Sequence, residues 1–162
     1  MNNKLLKQIK AWILFVMFAI AMSGITAFPL ESELQWLDAN SSLMPQAWAD
    51  WTHRVYEGVK EVNATKPYFS YGTDWLAFAH LVIAMAFIGV LKDPVRNRWV
   101  VDWGILSCFA VIPLAFIAGP IRDIPFFHQL VDISFGLLGL IPLFIIRSKI
   151  QLLRRQVEAV QT

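Results

Sequence analysis

The chain has 162 residues, 57% of them hydrophobic and only 16% charged, with a formal net charge of +2. That apolar excess excludes an ordinary soluble domain, and the lack of a basic patch interleaved with surface aromatics excludes nucleic acid as a partner. The one cysteine, Cys108, falls in an apolar run, so an internal disulfide and a cysteine-based zinc site are excluded too.

The first apolar run covers residues 11–30, AWILFVMFAIAMSGITAFPL, and follows Lys4, Lys7 and Lys10. Basic residues before an apolar run also describe a signal peptide. This run is long enough to cross a bilayer, and bulky Ile25 spoils the small-residue cleavage site, so an uncleaved anchor is expected. Ala19, Ser23 and Ala27 recur every fourth position, a small-residue stripe suited to helix contact within the bundle or between copies.

Residues 31–74 form a segment too long for a simple turn. In PQAWADWTHRVYEGVKEV, Pro45 suits a helix start. Trp48, Trp51, Val55, Val59 and Val62 recur at helical spacing, and Asp50, Arg54, Glu57, Lys60 and Glu61 take the opposite face. This predicts an amphipathic helix, either lying on the outer membrane surface with its tryptophans at headgroup depth or capping the bundle. His53 lies on the polar side and reads as a solvated histidine. Asn40-Ser41-Ser42 and Asn63-Ala64-Thr65 match the glycosylation triplet, which is common by chance.

The second span is residues 75–91, interrupted only by His80, with Ala77 and Ala84 on the histidine's own face. Asp93-Pro94 reads as a turn closing a tight hairpin. The third span is residues 103–121, loosened by Pro113, with Asp102 expected to cap its start. The fourth, residues 124–146, contains His128, Asp132 and Pro142. The tail 147–162 is expected to continue that helix into the cytoplasm, its basic residues near anionic headgroups.

Orientation follows from the basic residues. Ten of the fourteen lie at the N-terminus, in the loop after the second span and in the tail; Arg54, Lys60, Lys66 and Arg122 lie on the other side. The positive-inside rule then places both termini in the cytoplasm of a bacterium, with the protein in its plasma (inner) membrane. The expected fold is all-α: one membrane domain over residues 1–162, an integral membrane four-helix bundle with an amphipathic periplasmic-side helix between the first two spans. Four spans with few intramembrane charges suit neither an ion channel nor a repeat-built secondary transporter.

The stretch GPIRDIPFFHQLVD, residues 119–132, is a polar knot between two apolar runs. His128 and Asp132 share a helix face, and Gly136 and Gly139 are read on that face, which would turn Asp132 into the bundle. His80 lies six residues after Asp74, about 9 Å deeper at helical rise. His80, His128 and Asp132 are thereby expected to converge in the outer half of the bundle, with Arg122, Asp123, Asp74 and Tyr71 as ligand contacts at the same level.

Three readings remain open. The knot is a structural network that fixes helix register. Alternatively it binds a ligand, a metal through His80, His128 and Asp132, or a haem with Arg122 on a propionate, although unequal histidine depth counts against haem. The third reading is acid–base catalysis by His80, His128 and Asp132 on a lipid-like or small amphipathic substrate; no nucleophile elbow, zincin or P-loop motif supports it. The expected partners are the lipid bilayer and other membrane subunits or further copies of the chain, the protein then serving as an accessory subunit.

Overall fold

The structure is a computed structural model that describes residues 3–161. Residues 1, 2 and 162, the extreme ends of the expected 1–162 domain and its tail, lie outside the described residues. Among the described residues all regular structure is helical: α1 (Asn3–Ala27), α2 (Leu30–Ala39), α3 (Gln46–Thr65), α4 (Ser70–Lys92), α5 (Arg98–Ile121) and α6 (Phe126–Gln161). Single 3-10 turns at Ser41–Leu43 and Pro67–Phe69 lead into α3 and α4. Four segments, Asn3–Ala27, Pro67–Lys92, Arg98–Ile121 and Phe126–Glu158, are long and apolar enough to cross a membrane. The chain is a small, all-helical protein whose four apolar helices fit a multi-pass membrane protein.

Local chemistry sets the helix ends. The first helix starts at Asn3, ahead of the apolar run, because its lysines are good helix formers. It stops at Ala27 because Pro29 has no N–H and biases Phe28 away from the helical region. The chain re-enters a helix at once as α2, which the apolar pattern did not foretell. Glu31 and Glu33 occupy its first turn, where the helix dipole favours carboxylates. Pro45 stands at the N-cap of α3, one position before the helix proper.

The chain divides into two compact units, Met1–Ala19 with Ile83–Thr162, and Ile20–Val82. In the first, α5 packs along α6. Ile9, Ile13, Phe87, Val90, Val101, Ile146 and Ile150 are fully buried there. Backbones approach closely at Gly136, where a Cβ would lie 2.8 Å from the Cys108 carbonyl oxygen. Many large apolar side chains still face outward, among them Phe15, Leu106, Ile117, Phe135 and Leu138. A hydrocarbon environment accommodates such a surface and water does not.

The turn between α4 and α5 forms as the Asp93-Pro94 pair predicts. Asp93 Oδ1 accepts the Arg96 N–H at 3.0 Å, and Asn97 Nδ2 donates to the Gly89 carbonyl at 2.9 Å. This puts Asn97 at the N-cap of α5 and carries Asp102 into the helix. Asp102 is therefore no cap: its carboxylate meets Arg147 Nε at 2.7 Å and Arg98 Nε at 3.3 Å. The fourth apolar helix runs on through Pro142 to Gln161, so the expected helical tail is present to that residue.

α5 ends in a Schellman arrangement. Ile124 N–H donates to the Gly119 carbonyl at 3.0 Å and Asp123 N–H to the Pro120 carbonyl at 3.3 Å. Asp123 sits at φ 54°, where glycine is usual.

Three outcomes follow for thermal unfolding in detergent. Gly136→Ala lowers stability by about 1–3 kcal/mol, because a backbone carbonyl must move. Gly139→Ala costs less, because its nearest neighbour is the Cys108 sulfur at 3.2 Å, a side-chain atom that can turn away. Asp123→Gly raises stability by about 1 kcal/mol, because glycine adopts the left-handed region without strain.

Candidate ligand site

The polar knot belongs to the first unit. His128 Nε2 and Asp132 Oδ1 lie 3.8 Å apart, one helical turn from each other, with side chains 38% and 47% exposed. The buried stripe of α6 instead reads Gln129, Ile133, Gly136, Leu140 and Leu143. Asp132 stands beside this stripe, so the expectation that its face turns fully inward is corrected by one helical position.

The buried polar residue of the knot is Gln129, which composition alone does not single out. Its amide Nε2 donates to the Ile124 carbonyl at 2.8 Å and closes the bend before α6. Gly119 makes room: a Cβ there would lie 2.6 Å from the Gln129 side-chain carbon. The available sequence signal was the spacing of Gln129 with Ile133, Gly136 and Leu140. Arg122 and Asp123 are exposed at the bend.

The second unit holds His80, Tyr71 and Asp74. His80 Nδ1 lies 2.9 Å from the Leu76 carbonyl oxygen one turn earlier. A carbonyl only accepts, so Nδ1 carries the proton in that contact. Gly24 of α1 backs onto this turn, where a Cβ would lie 2.6 Å from the Ala77 carbonyl oxygen and 2.8 Å from His80 Cβ. His80 thus stands in the second unit, whereas His128 and Asp132 stand in the first. Among the described residues no three His, Cys, Asp or Glu side chains are grouped to hold a metal ion.

A polar chain joins three helices within the second unit. Ser70 Oγ donates to Asn63 Oδ1, and Asn63 Nδ2 donates to Glu31 Oε2 at 2.5 Å. Beside it lies a cavity of about 210 Å³, lined by these three residues, Ser32, Thr73 and Asp74, with Phe28, Leu30 and Val59 among its apolar walls. A more open hollow of about 310 Å³ is walled by Phe28, Tyr71, Trp75 and Phe78, again with Asp74. Tyr71, Trp75 and Phe78 follow helical spacing on one side of α4, and their rings meet edge to face at 6.0 and 6.3 Å. Asp74 and Phe28 line both hollows. The bend at Phe28-Pro29 brings Glu31 to the first hollow and Phe28 to both.

α2 packs against α3, and His53 on α3 contacts the Asp38 carboxylate on α2 at 3.1 and 3.2 Å. The histidine expected to be merely solvated therefore has an acidic partner on the neighbouring helix. On α3, Trp51, Val55, Val59 and Val62 are half-buried, while Asp50, Arg54, Glu57, Lys60 and Glu61 are exposed. Lys60 donates to Glu57 at 3.1 Å, and this hydrogen bond and the carboxylate's charge raise the lysine's pKa.

The chain matches no protein-family model, no curated protein and no solved structure.

Asn63→Leu should leave the Ser70 hydroxyl and the Glu31 carboxylate without their shared partner. The expected loss is about 1–3 kcal/mol, read as a lower unfolding midpoint in detergent. Ser70→Ala should cost less, because it removes one donor and leaves the Asn63–Glu31 bond in place.

Proposed function

We propose that this protein is a ligand-binding component of a bacterial inner membrane. Both termini face the cytoplasm, and residues 31–74 form an outer segment in which α3 lies as an amphipathic helix at the membrane surface. The ligand site is the pair of hollows that share Asp74, rather than the His/Asp pair of the knot. The observation that carries this reading is the conjunction at Asp74 of a polar cavity, with its Ser70–Asn63–Glu31 chain, and an aromatic hollow. Mostly apolar walls with a few placed polar groups are the usual build of a small-molecule site. The orientation is supported by the ten-to-four division of basic residues. On the same helix, His80 lies about 9 Å beyond Asp74 at helical rise, within reach of a ligand that extends further in.

The orientation predicts a labelling pattern in a Cys108→Ala background. Leu43→Cys, at a position 85% exposed, should react with a membrane-impermeant maleimide in intact spheroplasts. Lys149→Cys should react only after lysis. The reverse pattern overturns the topology.

The site predicts that protein purified gently from its membrane carries a bound species in native mass spectrometry, and that Asp74→Ala loses it while keeping its unfolding midpoint. A Soret band, or a stoichiometric metal that depends on His80 and His128, would replace this reading with a cofactor site.

A further inference from the structure

We infer that the site at Asp74 takes an organic ammonium group, a cationic nitrogen bearing carbon substituents; this rests on the reading of Asp74 as a ligand site. Charge comes first. Two carboxylates, Glu31 and Asp74, line the hollows, and no lysine or arginine lines either one. An anionic ligand would find no basic side chain to pair with there. Among the described residues Asp74 has no hydrogen-bonding or ion-pairing side chain, whereas one oxygen of Glu31 already accepts Asn63. Asp74, an exposed residue, lines both hollows, and only the first of them has polar surface.

Ring chemistry comes second. Phe28, Tyr71, Trp75 and Phe78 wall the more open hollow beside Asp74, and its surface is apolar throughout. Aromatic faces carry negative quadrupole potential and attract cations, most strongly at tryptophan, and cages of such rings are suited to substituted ammonium groups. A bare metal ion would need more oxygen ligands than these walls provide. A substituted ammonium uses both features: its charge meets Asp74 and its carbon substituents cover ring surface. The hydroxyls of Ser70 and Thr73 and the Asn63 amide, in the adjoining cavity, suit a polar group attached to the ammonium carbon chain. The same chemistry occurs in a lipid headgroup, such as phosphatidylethanolamine, and in a free solute such as choline.

The test uses the full chain in phosphatidylglycerol nanodiscs, which contain no ammonium group. Choline is titrated calorimetrically beside 3,3-dimethylbutan-1-ol, its uncharged isostere. Choline should bind roughly tenfold or more tightly than the isostere. Asp74→Asn and, independently, Trp75→Leu should each weaken it by a similar factor with the unfolding midpoint kept, and Asp74→Glu should retain much of the binding.

Adding phosphatidylethanolamine to the nanodiscs separates the two sources. Suppression of choline binding, with an Asp74-dependent phosphatidylethanolamine adduct in native mass spectra, assigns the headgroup; undiminished choline binding assigns a free solute. Equal binding of the uncharged isostere, or choline binding indifferent to Asp74→Asn, overturns the inference. An Asp74-dependent adduct that carries no ammonium also overturns it and leaves the ligand site standing. Absence of choline binding together with absence of any Asp74-dependent adduct overturns both.

Discussion

Glycine at helix contacts is the constraint on which the rest of the packing depends. Helices rich in phenylalanine and leucine have no preferred partner in a hydrocarbon environment, because lipid chains solvate them equally well. Selectivity has to come from close backbone approach. In the first unit, Gly136 lets α6 press on the Cys108 carbonyl, and Gly119 lets the end of α5 receive the Gln129 side chain. In the second unit, Gly24 lets α1 lie against the Ala77–His80 turn of α4. A methyl group at any of the three would come within 3 Å of atoms already in place. The register of these helices is set by where a side chain is missing.

Polar contacts then secure what the glycines allow. Asp102 is shared by Arg98 of its own helix and Arg147 of α6, which ties the start of α5 to the far part of its packing partner. At the other end of α5, Gln129 closes the bend through a backbone carbonyl. Asn63 does comparable work in the second unit, holding Glu31 and Ser70 from two other helices. The Arg147–Asp102, Gln129 and Asn63 hydrogen bonds each satisfy polar atoms that would otherwise be costly, while Arg98 Nε, buried, has only the ion-pair approach to Asp102. The proposed ligand site borders the Asn63 chain, so the Glu31 carboxylate and the Ser70 hydroxyl at its edge are held before any ligand arrives.

The chemistry of the candidate site illustrates why a list of ionisable residues is an uncertain guide. Asp74 and Tyr71 entered that list beside Arg122 and Asp123 only because they lay at a similar distance along their spans. The hollows add Glu31, Asn63 and Ser70, from the outer segment 31–74; of these three only Asn63 had been noted, within a glycosylation triplet. They also add Phe28, Trp75 and Phe78, to which the sequence pattern assigned no role. What joins them is the bend at Phe28-Pro29 and the return of the chain through α2 and α3.

The helical class, the number of long apolar helices and the hairpin turn at Asp93-Pro94 were legible in the chain itself. Each depends on local chemistry: apolar run length, proline's missing N–H, and an Asp side chain that caps its own turn. The helix over residues 46–65 was legible for the same reason, through its periodic tryptophans and valines. Tertiary structure decided the rest. It decided that Gln129 rather than Asp132 is buried, because helix rotation follows from which glycine a neighbour presses against, and periodicity leaves that open to within a position. It decided that Asp102 pairs with Arg147 instead of capping a helix, because the arginine lies far along the chain. It also placed Glu31, Asn63, Ser70 and Asp74 around one cavity, a convergence from three helices that no local pattern of residues encodes.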